Sequence, residues 1–171
     1  MKEQTKMKIV FLLEQSDYSS SFLAEFQRIL CRNQNHGLIV VQYDSRKEKD
    51  VCGKVKKEAP DLLITTNLWG FEQCTLTDNL ALNLLNCKQI HLLLHKNNVN
   101  EIRLKNQLSI SMFFYCLEAD YDYFSQNHFN LPYLKTMDGW LVGDSLNAKK
   151  TNAEILYSIV CEVLKECGIS H

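Results

Sequence analysis

Two stretches of this chain, Asp61-Leu-Leu-Ile-Thr-Thr-Asn67 and Lys88-Gln-Ile-His-Leu-Leu-Leu-His95, are apolar at nearly every position rather than at alternate ones. A strand that is apolar on both faces needs cover on both faces. That is the condition of a central strand in a parallel sheet flanked by helices. Between the two stretches lie the loop Leu68-Trp-Gly-Phe-Glu-Gln-Cys-Thr75 and a segment with Leu76, Leu80 and Leu84 at helical spacing, which Thr75 or Thr77 can cap. The remainder alternates in the same way. Strands are expected over 7–13, 38–43 and 110–117, and helices over 19–33, 46–58, 99–108, 118–129 and 152–167. Phe22, Phe26, Ile29 and Leu30 share one side of the first helix. In the last helix Ile155, Ile159 and Val163 run beside Leu156, Val160 and Leu164. The region 130–150 reads as irregular, with Gly139-Trp-Leu-Val-Gly143 as a short edge element.

Strands alternating with helices build right-handed βαβ units. The expected fold is a single α/β domain over 1–171: a three-layer α/β/α sandwich on a five-stranded parallel sheet. It is Rossmann-like or flavodoxin-like, with strand order 2-1-3-4-5. In such sheets ligands bind beyond the carboxyl ends of the strands, at the topological switch point. Here that point falls between strands one and three. The site is then built from 14–20 and 67–75, with contributions from His95 and Glu118.

At 171 residues the chain suits one domain, and its net charge of −1 gives no long-range attraction for nucleic acid. The local basic run from Arg46 to Lys57 is interleaved with Glu48 and Asp50 and carries no stacking aromatics, so it reads as a solvated helix face. Ile9-Val-Phe-Leu-Leu13 is too short for a membrane span or a signal-peptide core. The seven cysteines are odd in number and scattered, and several, such as Cys116 and Cys161, sit within apolar runs. Buried thiols in a reduced cytoplasm fit that pattern.

The turn after the first strand, Glu14-Gln-Ser-Asp-Tyr-Ser-Ser-Ser21, has no glycine, so a dinucleotide pyrophosphate cannot approach its backbone. A P-loop is also missing, and no cofactor is expected. Ser16 and Ser19 can seat an anion with the N–H groups of the first helix, or simply cap it. A phospho-receiver needs an aspartate at the end of strand three, where this chain has Thr66-Asn67. His91 and His95 are four apart, but on a strand that is ~13 Å at ~3.3 Å per residue, too far for one metal ion. No metal is expected. His91 reads as a satisfied core histidine, and His95, at the strand's carboxyl end, as the functional candidate. Cys116 ends the neighbouring strand, but no cation nearby lowers its thiol pKa. Trp69 and Phe71, set on a turn at Gly70, can stack on a sugar or base, or fold back over the core. In the cluster after strand five, Tyr121 and Phe124 are spaced for core packing.

Pro60-Asp-Leu-Leu-Ile-Thr, ending in Asn67-Leu-Trp-Gly-Phe71, resembles the Pro-Asp-apolar-Asn/Asp strand in the N-terminal half of GT-B glycosyltransferases. Residues 87–95 are similar to its partner strand. Phe113-Phe-Tyr-Cys-Leu-Glu-Ala-Asp-Tyr-Asp-Tyr-Phe124, followed by Leu131-Pro-Tyr133, is similar to a step found in the spore-maturation (CgeB-like) members. The resemblance covers about residues 7–135. It implies an acceptor-side half that binds a nucleotide-sugar or glycan in surface-glycan assembly. The donor-binding half and its acidic or glycine-rich motifs have no counterpart in these residues, so transfer would need a partner subunit.

Three readings follow. The first is a partner-dependent binding domain: Trp69 and Phe71 stack, Asn67 and His95 make polar contacts, Gly70 shapes the loop, Glu118 contributes, and the loop with Ser16 and Ser19 seats an anion. The second is a self-associating or interaction module without a small-molecule ligand. The third is a small hydrolase or transferase with His95 as general base and Glu14 or Asp44 as its partner.

Overall fold

The computed structural model describes residues 8–14, 20–33, 37–43, 51–66, 87–94, 112–126, 133–143 and 145–166. In chain order these form β1 (Lys8–Glu14), α1 (Ser20–Asn33), β2 (Gly37–Tyr43), α2 (Val51–Glu58), β3 (Leu62–Thr66), β4 (Lys88–Leu93) and β5 (Met112–Cys116). A 3₁₀ turn over Glu118–Asp120 then leads into α3 (Tyr121–Gln126), β6 (Leu134–Thr136) and α4 (Leu146–Glu166). The helices expected over 75–86 and 99–108 lie outside the described residues.

All strand pairs are parallel. The strands join one sheet in the order β2-β1-β3-β4-β5-β6. The sheet is therefore one strand wider than expected. β6 extends it beside β5 through the pairs Phe114–Leu134, Tyr115–Lys135 and Cys116–Thr136. The edge element expected at 139–143 is instead a loop, and the added strand lies upstream of it.

Register sorts the apolar strands into two faces. Ile9, Phe11, Ile64, Ile90, Leu92 and Phe113 point to one side and share a core with α1 and α4. There Phe11 meets Phe22 and Phe26 edge-on, with centroids 6.5 and 6.1 Å apart. Each ring is buried, which stabilises the fold by about 1.5–3 kcal/mol per side chain. The helical stripes meet here: Phe22, Phe26, Ile29 and Leu30 of α1 are buried, as are Leu156, Ile159, Val160, Val163 and Leu164 of α4. On the opposite face lie Val10, Leu63, Thr65, Gln89, His91 and Phe114, all buried. Two packing expectations need correction. Tyr121 is exposed while Phe124 is buried, because α3 is short and turns only one aromatic inward, and Cys161 is only partly buried.

Asp61 locks the amino ends of β1 and β3 together. Its carboxylate accepts the Lys8 N–H at 2.7 Å, and its own N–H donates to the Lys8 carbonyl at 2.8 Å. Just upstream, Ala59 closes α2 with φ +48° and donates its N–H to the Lys56 carbonyl. The left-handed region costs an L-residue about 1 kcal/mol, and glycine is at ease there. Ala59→Gly is accordingly expected to raise stability by about 0.5–1 kcal/mol, read as a rise in urea midpoint at unchanged m-value.

Candidate functional site: the carboxyl edge of the sheet

Because every pair is parallel, the strands deliver their carboxyl ends to one edge. Glu14 ends β1 in register with Tyr43 of β2. Further along the row, Leu93 of β4 pairs with Cys116 of β5, and Cys116 with Thr136 of β6. Of the residues expected at this edge, Ser16, Ser19, Asn67, Trp69, Gly70, Phe71 and His95 lie outside the described residues, as does Asp44. Glu14 is placed by its backbone at the end of β1, and Glu118 follows β5. Three strand steps separate β1 from β5, roughly 14 Å at the ~4.8 Å spacing of a sheet. The two carboxylate-bearing positions are thus not neighbours.

Glu118 has a defined role. Its Oε1 accepts the Gly139 N–H at 3.2 Å, holding the loop between β6 and α4 against the end of β5. Gly139 sits at φ +84°, where a side chain would be strained. The same loop is fixed by five further hydrogen bonds. The Met137 N–H donates to the Cys116 carbonyl at 2.8 Å, the Trp140 N–H to the Met137 carbonyl at 3.2 Å, and the Thr136 hydroxyl to Asp138 at 2.7 Å. Asn152, buried in α4, closes a two-point clamp: the Leu141 N–H donates to its Oδ1 and its Nδ2 donates to the Leu141 carbonyl, both at 2.8 Å. Trp140 leans on Phe22 in the first turn of α1, with ring centroids 6.2 Å apart. The start of α1 and the loop after β6 therefore form one packed unit at the carboxyl edge.

Sequence reasoning missed this unit. A tryptophan between two glycines at 139–143 was its signal, together with an asparagine at a position of α4 where the helical period calls for an apolar residue. That period was expected to begin at 152. Leu146 starts the helix well before it, because Ser145 provides the cap: its Oγ accepts the Ala148 N–H at 3.1 Å.

Below the edge, the sheet holds a polar line across β3 and β4. His91 is fully buried, stacked on Phe114 at 5.2 Å. Its Nε2 lies 3.1 Å from the Gln89 Oε1, and its Nδ1 is hydrogen-bonded to the Thr65 hydroxyl. A carbonyl oxygen only accepts, so Nε2 carries the proton and Nδ1 accepts from Thr65. Burial pushes the ring's pKa down to about 3, so His91 is neutral at physiological pH and both its nitrogens have partners. Burial, aided by Asp120, likewise pushes the Cys116 thiol up to about 12, and burial with Asp61 pushes Cys87 up to about 11. Neither thiol forms a useful fraction of thiolate near neutrality.

Among the described residues, no group of three His, Cys, Asp or Glu side chains is arranged to hold a metal ion. Nor is any helix among them long and apolar enough to cross a membrane. Compared with protein families, curated proteins and solved structures, the chain matches none.

Proposed function

We propose that this chain is a binding domain of the glycosyltransferase N-terminal-half type, which takes a nucleotide-sugar or glycan at the carboxyl edge of its sheet. In this reading it is a flavodoxin-like, three-layer domain of the cytoplasm. It works with a second protein subunit in surface-glycan assembly and does not bind nucleic acid. The observation that supports it is the division of labour at that edge. Aromatic and hydrogen-bonding groups gather there in a packed loop, and the histidine and thiol nearest it, His91 and Cys116, are held in their neutral forms. Such an edge is suited to hold a ligand, and Trp69, Phe71, Asn67 and His95 are the residues assigned to meet it. Ser16 and Ser19 would seat its phosphate.

The chain has two tryptophans, and this makes the test direct. In a Trp140→Phe background, Trp69 alone reports on tryptophan emission. Titration with UDP-glucose and UDP-N-acetylglucosamine is expected to change that emission saturably, and His95→Ala is expected to weaken the apparent affinity by about tenfold, the worth of one good hydrogen bond to a charged group. Native mass spectrometry of gently purified protein should show a retained sugar nucleotide or a co-purifying subunit. An unchanged emission together with a bare monomer in the spectrometer would sink the reading.

A further inference from the structure

The sheet has two edge strands, and they are built differently. β6 is three residues long, carries Lys135 at its centre and comes just after Pro132. Short length, lysine and proline are the means by which native sheets keep an edge from pairing with another chain. β2 has none of them. It runs for seven residues, Gly37-Leu-Ile-Val-Val-Gln-Tyr43, with no charge, no proline and three β-branched residues at its middle. Its whole length is in register with β1, and among the described residues β1 is its only strand partner. Its other side is a ladder of N–H and C=O groups about 23 Å long. α1 extends this neutral edge. Its Phe22 side faces α4 and the loop that carries Trp140. Helical spacing sets Ala24, Gln27 and Cys31 on the opposite side, toward β2, and all three are exposed. Arg28 is held by Glu25, and Arg32 falls on Glu25's side of the helix, so the stripe itself carries no charge.

We propose that β2 is a self-association edge, where a second copy of the chain lays its own β2 antiparallel and joins two sheets into one. A second copy is the occupant because both exposed elements are self-complementary about one level of the fold. A two-fold axis normal to the sheet at Val40 sets Leu38 against Gln42 and Ile39 against Val41 of the other copy. α1 runs back along the β1–β2 pair, so the same axis passes its middle. There Gln27 meets Gln27 of the other copy, and Ala24 meets Cys31. An amide both donates and accepts, so Gln27 can pair with itself, and the small side chains beside it let the helices approach. A charge on such an edge would meet its like across the axis, and these two elements present none. Lys56 and Lys57, in the last turn of α2, are carried to opposite ends of the pair, as are the mixed charges that follow Tyr43 in sequence. One strand pair alone falls short of the about 800 Å² per partner that a stable interface buries. α1, about 21 Å long, adds a second layer of matching length. The contact closes at two subunits and does not depend on the sugar-nucleotide reading.

Sedimentation velocity of the full chain under reducing conditions tests it, with no sugar nucleotide present. A concentration-dependent equilibrium of monomer and dimer is expected, and exchange of the β2 backbone amides should slow as the dimer fills. Gln27→Lys, at an exposed helical position that tolerates lysine, sets two ammonium groups together at the axis. It should raise the dimer dissociation constant by about tenfold with circular dichroism unchanged. Ser158→Lys, exposed on α4, adds the same charge away from the edge and should leave the dimer as it is. A monomer at every concentration would overturn the proposal, as would a dimer that Gln27→Lys leaves intact or that Ser158→Lys weakens equally. So would β2 amides equally protected at every dilution, which would show the edge covered within a single chain.

Discussion

Replacing His91 by leucine is expected to destabilise the domain by about 2–4 kcal/mol, although the new side chain is apolar and similar in volume. The loss comes from the ring's partners. Thr65 donates its hydroxyl proton to Nδ1, and Gln89 accepts from Nε2, both in the buried interior. Leucine can do neither, while the packing on Phe114 is largely kept.

The pH dependence separates this from an ordinary packing defect. Burial holds the native ring's pKa near 3, against 6.5 for an ordinary histidine. Between those values the unfolded chain binds a proton that the native state refuses, so native stability falls as pH drops below about 6.5. The slope from one such group approaches about 1.4 kcal/mol per pH unit. Carboxylates titrate in the acid part of the same window, and subtracting the His91→Leu curve removes their share. Urea unfolding from about pH 6.5 down to about pH 4 should thus show a shallower slope in the variant. Identical slopes would mean that the wild-type ring takes up its proton without leaving the fold.

The second large effect is expected at Asn152. Asn152→Ala strips two hydrogen bonds from the backbone of Leu141 at once, leaving a partly buried N–H and C=O to find water. The expected cost is about 2 kcal/mol. It should come with faster amide exchange over Gly139–Leu141 and a red shift of Trp140 emission, read in a Trp69→Phe background. Asn152→Asp is the more diagnostic change. It keeps the acceptor for the Leu141 N–H but sets a carboxylate against the Leu141 carbonyl. Burial and that repulsion raise the new carboxyl's pKa in the native state. Its destabilisation should therefore shrink as pH falls and the carboxyl takes a proton, the reverse of the His91 trend. A pH-independent penalty would show that the loop turns away from residue 152 when the amide is lost.

The class of fold was legible because burial on both faces leaves a plain mark. Leu62, Leu63, Ile64, Ile90, Leu92 and Leu93 are all buried, and no alternating pattern could have produced that run. The two long amphipathic helices were legible for a similar reason, since α1 and α4 each bury one continuous stripe. β6 was not. It is three residues long with a lysine at its centre, and its existence depends on β5 offering an open edge rather than on any preference of its own. At the candidate site, Glu118 was picked for standing at a strand end. Its bond to Gly139 depends on a loop whose position is set by Asn152 and by the Trp140–Phe22 contact, both of them tertiary. The tautomer and neutrality of His91 were beyond a sequence reading too, because they follow from which polar groups the register sets beside it. Apart from Glu14, placed by its backbone at the end of β1, the remaining site expectations concern residues outside the described ones.

The pairing of α1 with α4 also sets the timing of folding. α1 precedes every strand but β1, with Phe22, Phe26 and Leu30 displayed along one side, and the helix that covers them follows only after every described strand has been made. Until α4 emerges the nascent chain must carry an uncovered greasy surface, and the contacts that finally cover it close a very long loop. This is the profile of a slow folder. Its exposure to aggregation is settled during elongation, and a holdase able to shield the first helix until α4 has been made would raise its yield more than any gain in final stability.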